Sequence, residues 1–430
     1  MATHELRRPF KRPAISDQQR RREIALVRQA QQRSDSQNRA RRLASSVLTL
    51  PYHATTLAIQ VELPDLGDVD DVAAMETVPD QGPCSPSSRD LDVVQASKLK
   101  GSEARRWFAR QLMLPEWMID VPPNLDRDWY VFARPAGKRC FVVSTNGSTV
   151  SRLRNGSVLH RFPSSLPNGA RTKEMSAPSH VYCILDCIFH EPNQTYYVID
   201  MVCWRGYSLY DCSAEFRFFW LNSKLSESGA CNPPSACHRY QFSVVPIYDC
   251  NQISLHAAYA GGLPYIRDGL MFYNRHAHYQ NGNTPLALVW KDEFCSQYVL
   301  DTDSKGQVPA QQQVVLELQD DGKVTTSDDP PIVFGCLDRE FEQKEGLRAG
   351  NLIRFSIRDE CVRLVDGKLE LGDIQFTSKV NRARIFADGY SKIFFQYIAR
   401  HSPLQFKDLM ASIQPDPDAD SGNNDIEMSG

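Results

Sequence analysis

The stretch VYCILDCIFHEPNQTYYVIDMVCW, residues 181–204, decides how this chain folds. Val181–Phe189 and Thr195–Trp204 are apolar, β-branched or aromatic, and Pro and Asn lie between them, which marks two strands. Cys183 and Cys187 fall on one face of the first strand, where packing is their expected role. The same texture extends outward to Trp129–Ala133, Cys140–Ser144, Gly269–Asn274 and Leu286–Lys291, and Phe216–Leu221 and Gln241–Pro246 continue it. ARRWFARQLM, residues 104–113, reads as a short helix. After a polar interval at 301–312 come Val314–Leu318, Pro331–Gly335, Leu352–Ile357, Cys361–Val365 and Ile393–Ala399, with turn signals at Asp321-Gly322 and Asp366-Gly367. The expected fold class is α+β, with a β-rich body over 104–300 and a small barrel or extra sheet over 301–414.

The composition supports that body. With 430 residues, 42% of them apolar and 10% aromatic, the chain can build a sizeable core, and a wholly disordered or collagen-like chain is excluded. No apolar run is long enough for a membrane helix, and the opening MATHELRRPF has no apolar run of a secretory signal. Twelve cysteines without disulfide-scaffold spacing point to a reducing compartment.

The net charge of −3 hides strong segregation. Residues 1–46 carry twelve basic side chains against four acidic ones. Residues 61–82 hold seven acids and no base, and 415–430 hold five acids and no base. The organisation read from this is a basic arm (1–46), an acidic disordered linker (47–103), the two β-rich regions, and an acidic disordered tail (415–430). Ser16 to Gln19 has the form of a capping box, and Gln18 to Ala44 contains neither Pro nor Gly, so the arm reads as a helix. Its apolar residues, Ile24, Leu26, Val27 and Leu43, are too few for a core-facing stripe. The helix is either a frayed, solvated arm or orders on an acidic surface, such as the inner wall of a helical solenoid; nucleic acid is another polyanionic surface it could use. Leu57, Val61, Leu63 and Leu66, spaced among acids, could serve as an exportin-binding peptide.

Conventional catalytic signatures are missing: there is no GxxxxGK[ST] loop and no G-x-S-x-G elbow. Cys231, Cys237 and His238 have no matching second pair, so an ordinary loop is expected over a zinc site, and no metal or cofactor is assigned. Trp107, Trp129, Trp204 and Trp220 are expected in core or interface.

Several blocks in order resemble the snurportin family of import adaptors for trimethylguanosine-capped spliceosomal RNPs. They are QLMLPEWMIDVP (111–122), GKRCFVVSTNGST (137–149), RFPSSLPNG (161–169), ILDCIFHEPNQTYYVIDMVCWRG (184–206), FRFFWLNSKL (216–225) and DGLMFYNRHAHYQNGNTPLALVW (268–290), preceded by the basic helix. The resemblance covers roughly 10–45 and 104–291. It implies an importin-β-binding arm in which Arg20, Arg21, Arg22, Arg28, Arg39, Arg41 and Arg42 are the contacts, an exportin as a candidate for recycling, and shuttling between cytoplasm and nucleus. It also implies a cap-binding domain similar to the nucleotidyltransferase fold of mRNA capping enzymes. Their K-x-D-G-x-R motif corresponds to Arg134–Arg139, with Arg134 in the slot of the nucleophilic lysine and Ala136 in that of the aspartate. Arg cannot form the phosphoramide, which favours a binding module over an enzyme. The resemblance makes Trp290 the stacking platform for the charged base and Trp117 the neighbour of the two N2 methyls. It places Arg139, Lys138 and Arg154 on the phosphates, Ile188 in the pocket wall, and Pro115 where the family has Ser. A capping-type guanylyltransferase and a general single-stranded RNA binder remain the competing readings.

Overall fold

In a computed structural model, the structure describes residues 17–31, 108, 111–171, 181–303, 305–357, 362–365, 368–371, 374–380 and 385–413. Arg39, Arg41 and Arg42, the acidic linker, the spaced leucines, most of the 104–113 helix and the acidic tail lie outside the described residues.

The chain opens with helix α1 (Asp17–Gln31), then β1 (Met113–Trp117), the short α2 (Leu125–Asp128), β2 (Trp129–Pro135), β3 (Lys138–Thr145), β4 (Ser148–Leu153) and β5 (Val158–Phe162). It continues with β6 (Cys183–His190), β7 (Thr195–Trp204), β8 (Tyr207–Ser208), α3 (Ala214–Glu227), β9 (Phe242–Val244), β10 (Tyr248–Asp249) and α4 (Gln252–Ala260). Next come β11 (Arg267–Asn274) and β12 (Gly282–Trp290). The last part holds β13 (Gln312–Leu318), β14 (Lys323–Thr325), β15 (Val333–Cys336), α5 (Arg339–Lys344), β16 (Leu352–Ile357), β17 (Val362–Val365), β18 (Lys368–Leu371), β19 (Ile374–Val380), α6 (Tyr390–His401) and α7 (Phe406–Ala411).

Three larger sheets and the two-stranded β17-β18 ribbon make up the sheets of the described residues. The first has the order β1-β12-β11-β2-β10, with β1 parallel to β12 at one edge. The second has the order β5-β4-β3-β6-β7-β8, with β9 parallel to β7. The facing sides of these two sheets share a core that includes Val131, Leu288, Ile188, Tyr197 and Ile199. The outer side of the second sheet packs under α3, through Val198, Met201, Leu221 and Leu225. This is why β6 and β7 read as nearly continuous apolar runs, with Asp186 and Asp200 as the charged exceptions in mid-strand: both of their faces are buried. The third sheet has the order β15-β14-β13-β16-β19 and buries Leu316, Ile353 and Phe355 against Ile393 and Phe394 of α6.

The α+β expectation is met, with two local corrections. Phe216–Leu221 is helical, within α3, because Ser213 caps it by accepting from the Phe216 amide and because Phe218, Leu221 and Leu225 recur at helical spacing on its buried face. Ile393–Ala399 is helical, within α6. Its apolar residues divide between two cores, Ile393 and Phe394 to the third sheet and Phe395 to the first, a split that a one-faced strand could not serve.

Gly137 joins the first sheet to the second. Its φ is 151°, and a Cβ there would stand 2.3 Å from the Phe189 carbonyl oxygen, so the turn that sets Arg139 in place requires glycine.

The basic helix does not stand apart. Gln18 donates to Glu116 (2.9 Å) and to the Trp117 carbonyl (3.1 Å), and Arg21 forks onto the Glu116 carboxylate. Arg22 is buried, donates to the Pro285 carbonyl and lies 5.1 Å from the Trp129 ring centre. Gln29 bonds the backbone of His276 and His278, and Ala25 and Leu26 pack on the core. The partner that so apolar-poor a helix needs is thus the body of the same chain.

Candidate functional site

Strand alternation decides which side chains can meet. In β1, Pro115 and Trp117 point to one side and Glu116 to the other, where α1 covers it. Pro115 removes a backbone donor, which an edge strand tolerates, and the pairing with β12 shifts register just after it. In β12, Val289 faces the same side as Pro115 and Trp117, and Lys291 follows just past the strand's end. These residues form one wall of a cleft of about 700 Å³ between the first sheet and the third. Arg134, Arg139 and Arg154 reach the same space, and Gln313, Val315, Arg354, Lys392 and Arg400 approach it from the far side.

Two ion-paired centres fix the near wall. The first is Asp268, which accepts from Lys291 (2.5 Å), from Ser296 (2.7 Å) and from Arg134. Burial would raise its pKa, but the two cations outweigh burial and hold the carboxyl below its usual range. Burial, with Arg134 close by, pushes the Lys291 ammonium below its usual range despite Asp268. Gly269 makes this corner possible: at φ 94° its absent Cβ would meet the Trp290 carbonyl oxygen at 2.7 Å. The second centre is Asp186, fully buried in mid-strand β6. Arg139 binds both its oxygens, at 3.1 and 2.7 Å, and the Tyr279 hydroxyl donates at 2.7 Å. Burial alone would weaken the Arg139 charge; the Asp186 carboxylate overrides it and holds the guanidinium above its usual range. Arg139 also donates to the Met113 carbonyl at 2.5 Å, which pins the start of β1.

Trp117 is half-buried on the wall. Its ring lies 4.8 Å from Phe395, and the Lys291 ammonium stands 5.7 Å from its centre. Its amide donates to Ser391 at 3.1 Å. Phe386 adds a second aromatic ring, with the Arg154 guanidinium 4.2 Å above it.

Four of the seven expected cap-contacting residues therefore line one cleft: Pro115, Trp117, Arg139 and Arg154. Three do not, and each is a correction. Trp290 follows Val289, so its side chain leaves the strand on the opposite face. It is fully buried beside Tyr259 and Phe406, and its Nε1 donates to the Leu404 carbonyl at 3.1 Å. A ring enclosed in that way presents no face to a base. Lys138 precedes Arg139 and points away for the same reason, to an exposed ion pair with Glu191. Ile188 pairs with Arg139 across the strands but is fully buried in the core between the sheets, off the cleft. Of the arm arginines, Arg20 and Arg28 are exposed, while Arg21 and Arg22 are engaged by the body.

His238 accepts from the Ser165 amide at 3.1 Å and bonds the Ala230 carbonyl at 2.9 Å through its other nitrogen. Both ring nitrogens are thus committed to backbone. Among the described residues, no His, Cys, Asp or Glu group has the arrangement of a metal site. No described helix is long and apolar enough to cross a membrane.

Residues 111–291 match the family described as Snurportin1, m3G cap-binding domain. Over this stretch the chain is snurportin-like. The snurportin-like segment contains the first two sheets and the near wall of the cleft; the far wall lies beyond it. Among solved structures, a mycobacterial DNA ligase D complexed with ATP and MES is similar at 10% identity and a TM-score of 0.30, over 66% of this chain and 99% of that one. The ligase domain from M. tuberculosis LigD is similar at 11% identity and a TM-score of 0.31, over 64% of this chain and 96% of that one.

Val289 and Lys291 complete the near wall, and Asp186 and Asp268 hold its cations from behind. Asp186 could have been found from its place inside an apolar strand, because a buried carboxylate requires a cation. Arg354, Lys392 and Arg400 of the far wall left a fainter signal. Arg354 alternates with the apolar residues of β16, and Lys392, Gln396 and Arg400 recur every fourth residue of α6.

Proposed function

We propose that the protein is a nuclear import adaptor. It binds the trimethylguanosine cap of spliceosomal RNAs in the cleft and joins the particle to importin-β through its basic arm. The observation that carries the first half is Trp117, an aromatic wall among cations inside a snurportin-like segment. A 7-methylated guanine carries positive charge, and its attraction to an indole face is the same one that Lys291 makes at Trp117. Trp117 thus takes the platform role that Trp290, enclosed in the core, leaves open. Arg139 and Arg154 line the same cleft and are the candidates for the triphosphate bridge, and such contacts position the ligand without reading the base. The protein acts by binding, not by catalysis: Arg134 stands in the slot of the nucleophilic lysine, its guanidinium paired with Asp268.

The second half rests on charge. The arm's twelve basic residues suit the acidic inner face of a solenoid, and Arg20 and Arg28 are exposed for it. An adaptor of this kind shuttles between cytoplasm and nucleus, and the spaced leucines from Leu57 to Leu66 are the candidate signal for an exportin.

The test is fluorescence titration of the full chain with trimethylated, monomethylated and unmethylated cap analogues. The trimethylated cap is expected to bind tightest, and Trp117→Ala to lose about 1–3 kcal/mol of that affinity. Equal affinity for all three caps, with steep salt dependence, would instead identify a general RNA binder. A covalent guanylate adduct after incubation with GTP and Mg²⁺ would restore the capping-enzyme reading.

A further inference from the structure

The far wall of the cleft belongs to residues 301–413, outside the snurportin-like segment. Its construction is specific. Ile353, Phe355 and Ile357 of β16 point into the core under the third sheet. Arg354 therefore leaves on the opposite face, beside Val315 of β13, its register partner, and both line the cleft. Helix α6 presents Lys392, Gln396 and Arg400 to the same space.

The charges of this wall are not balanced. Among the described residues, seven cationic side chains line the cleft (Arg134, Arg139, Arg154, Lys291, Arg354, Lys392 and Arg400) against two carboxylates, Asp301 and Asp388. Both carboxylates are taken by Lys392, at 2.7 and 2.8 Å. Asp268 and Asp186, behind the near wall, serve Arg134, Lys291 and Arg139. Arg354 is half-buried and has no hydrogen-bond or ion-pair partner among the described residues. Arg400 donates to the Pro309 carbonyl at 2.9 Å, and its buried Nε has no partner among the described residues. Two guanidiniums without a carboxylate among the described residues, held part-buried in a concave site, repel each other and the near-wall cations unless an anion lies between them. A guanidinium's planar fork matches phosphate oxygens two at a time.

We infer that residues 301–413 form the second half of the ligand site, in which Arg354 and Arg400 grip the phosphates of a polyphosphate-bearing nucleotide held across the cleft. The inference rests on the cap reading only for the base; the phosphate chemistry is shared by a cap's triphosphate bridge and by a free nucleoside triphosphate. The two walls then act as a clamp that neither forms alone.

The experiment titrates the full chain, as wild type, Arg354→Gln, Arg400→Gln and Arg354→Lys. The probes are a trimethylated cap dinucleotide, GTP, inorganic tripolyphosphate and the phosphate-free trimethylguanosine nucleoside, each at several salt concentrations. Thermal melts confirm that each variant is folded. Each glutamine variant is expected to bind the three phosphate-bearing probes about tenfold more weakly. The slope of log affinity against log salt should fall by about one per charge removed. Nucleoside affinity should not change, and Arg354→Lys should recover part of the loss, because it restores charge without the fork. Folded variants that bind every probe with wild-type affinity and slope would overturn the clamp and leave cap binding intact. A wild type that binds tripolyphosphate and GTP, weakened in the variants, but gives the trimethylated cap no preference would overturn the cap reading and uphold the clamp. A wild type that binds no phosphate-bearing probe would overturn both.

Discussion

Trp290 and Trp117 stand on two adjacent strands and have opposite fates, and alternation along β12 is the cause. Trp290→Ala empties a fully enclosed site and removes the bond to Leu404. It should cost about 3–5 kcal/mol of stability. In the fraction that stays folded, cap affinity should fall less than in Trp117→Ala. Denaturant unfolding and cap titration of both variants test this, and a stable Trp290→Ala protein that cannot bind cap would return the platform to Trp290. Asp268 sets a pH limit on the near wall. Its carboxyl is held below its usual range by Arg134 and Lys291, so its contribution to stability is complete above the unfolded carboxyl value, about 3.9. That contribution is lost as pH falls from there through the lower folded value. Asp268→Asn should therefore be less stable than wild type at neutral pH, and the gap should close only below about pH 4. Urea midpoints from pH 7 downward measure it; a gap that closes by pH 6 would assign the effect to another group.

At the scale of elements, α1 matters most. Glu116 is buried beneath it, and Arg21 and Gln18 are its partners. Arg21→Ala leaves that carboxylate short of its cation and should lower stability by about 1–3 kcal/mol, scaled down from a wholly buried pair because Arg21 is part-exposed. Adding Glu116→Gln should recover most of the loss, and unfolding of the two variants tests the pairing. The sequence made the strands of both β-rich regions legible because their apolar runs and turn residues are local properties. It hid the identity of α3 and α6: the aromatic residues of both, and the isoleucines of α6, suit a strand until the packing around them is known. It showed the arm's charge and its lack of a core stripe, but not its partner, since Gln18 and Arg21 meet Glu116 across about a hundred residues of chain. The cleft was half legible: its near wall lies in contiguous motifs. The far wall is assembled by tertiary folding from side chains that each look like ordinary surface arginine or lysine.

At the scale of the molecule, three parts of the chain converge on one edge strand. Arg139→Ala leaves buried Asp186 without its cation, so the variant is first checked for folding by circular dichroism; in the folded protein it should weaken all triphosphate caps by a similar factor without changing the order of preference among methylation states, because phosphate contacts do not read the base. Competition titration with the three caps tests this, and a loss confined to one cap would refute it. The convergence is tightest at Trp117. Its amide donates to Ser391 of α6, its carbonyl accepts from Gln18 of the arm, and its ring lines the cleft. A receptor that pulls the arm away must break one of those bonds and uncover Glu116, so arm and cleft share a free-energy ledger. Thermodynamic reciprocity then applies: whatever factor arm capture imposes on ligand affinity, a bound ligand imposes on arm capture. If the cleft and the arm are coupled through this strand, loaded and empty molecules differ in how readily they surrender the arm, and the Trp117 peptide groups, bonded to the arm on one side and to α6 on the other, are one link in that coupling.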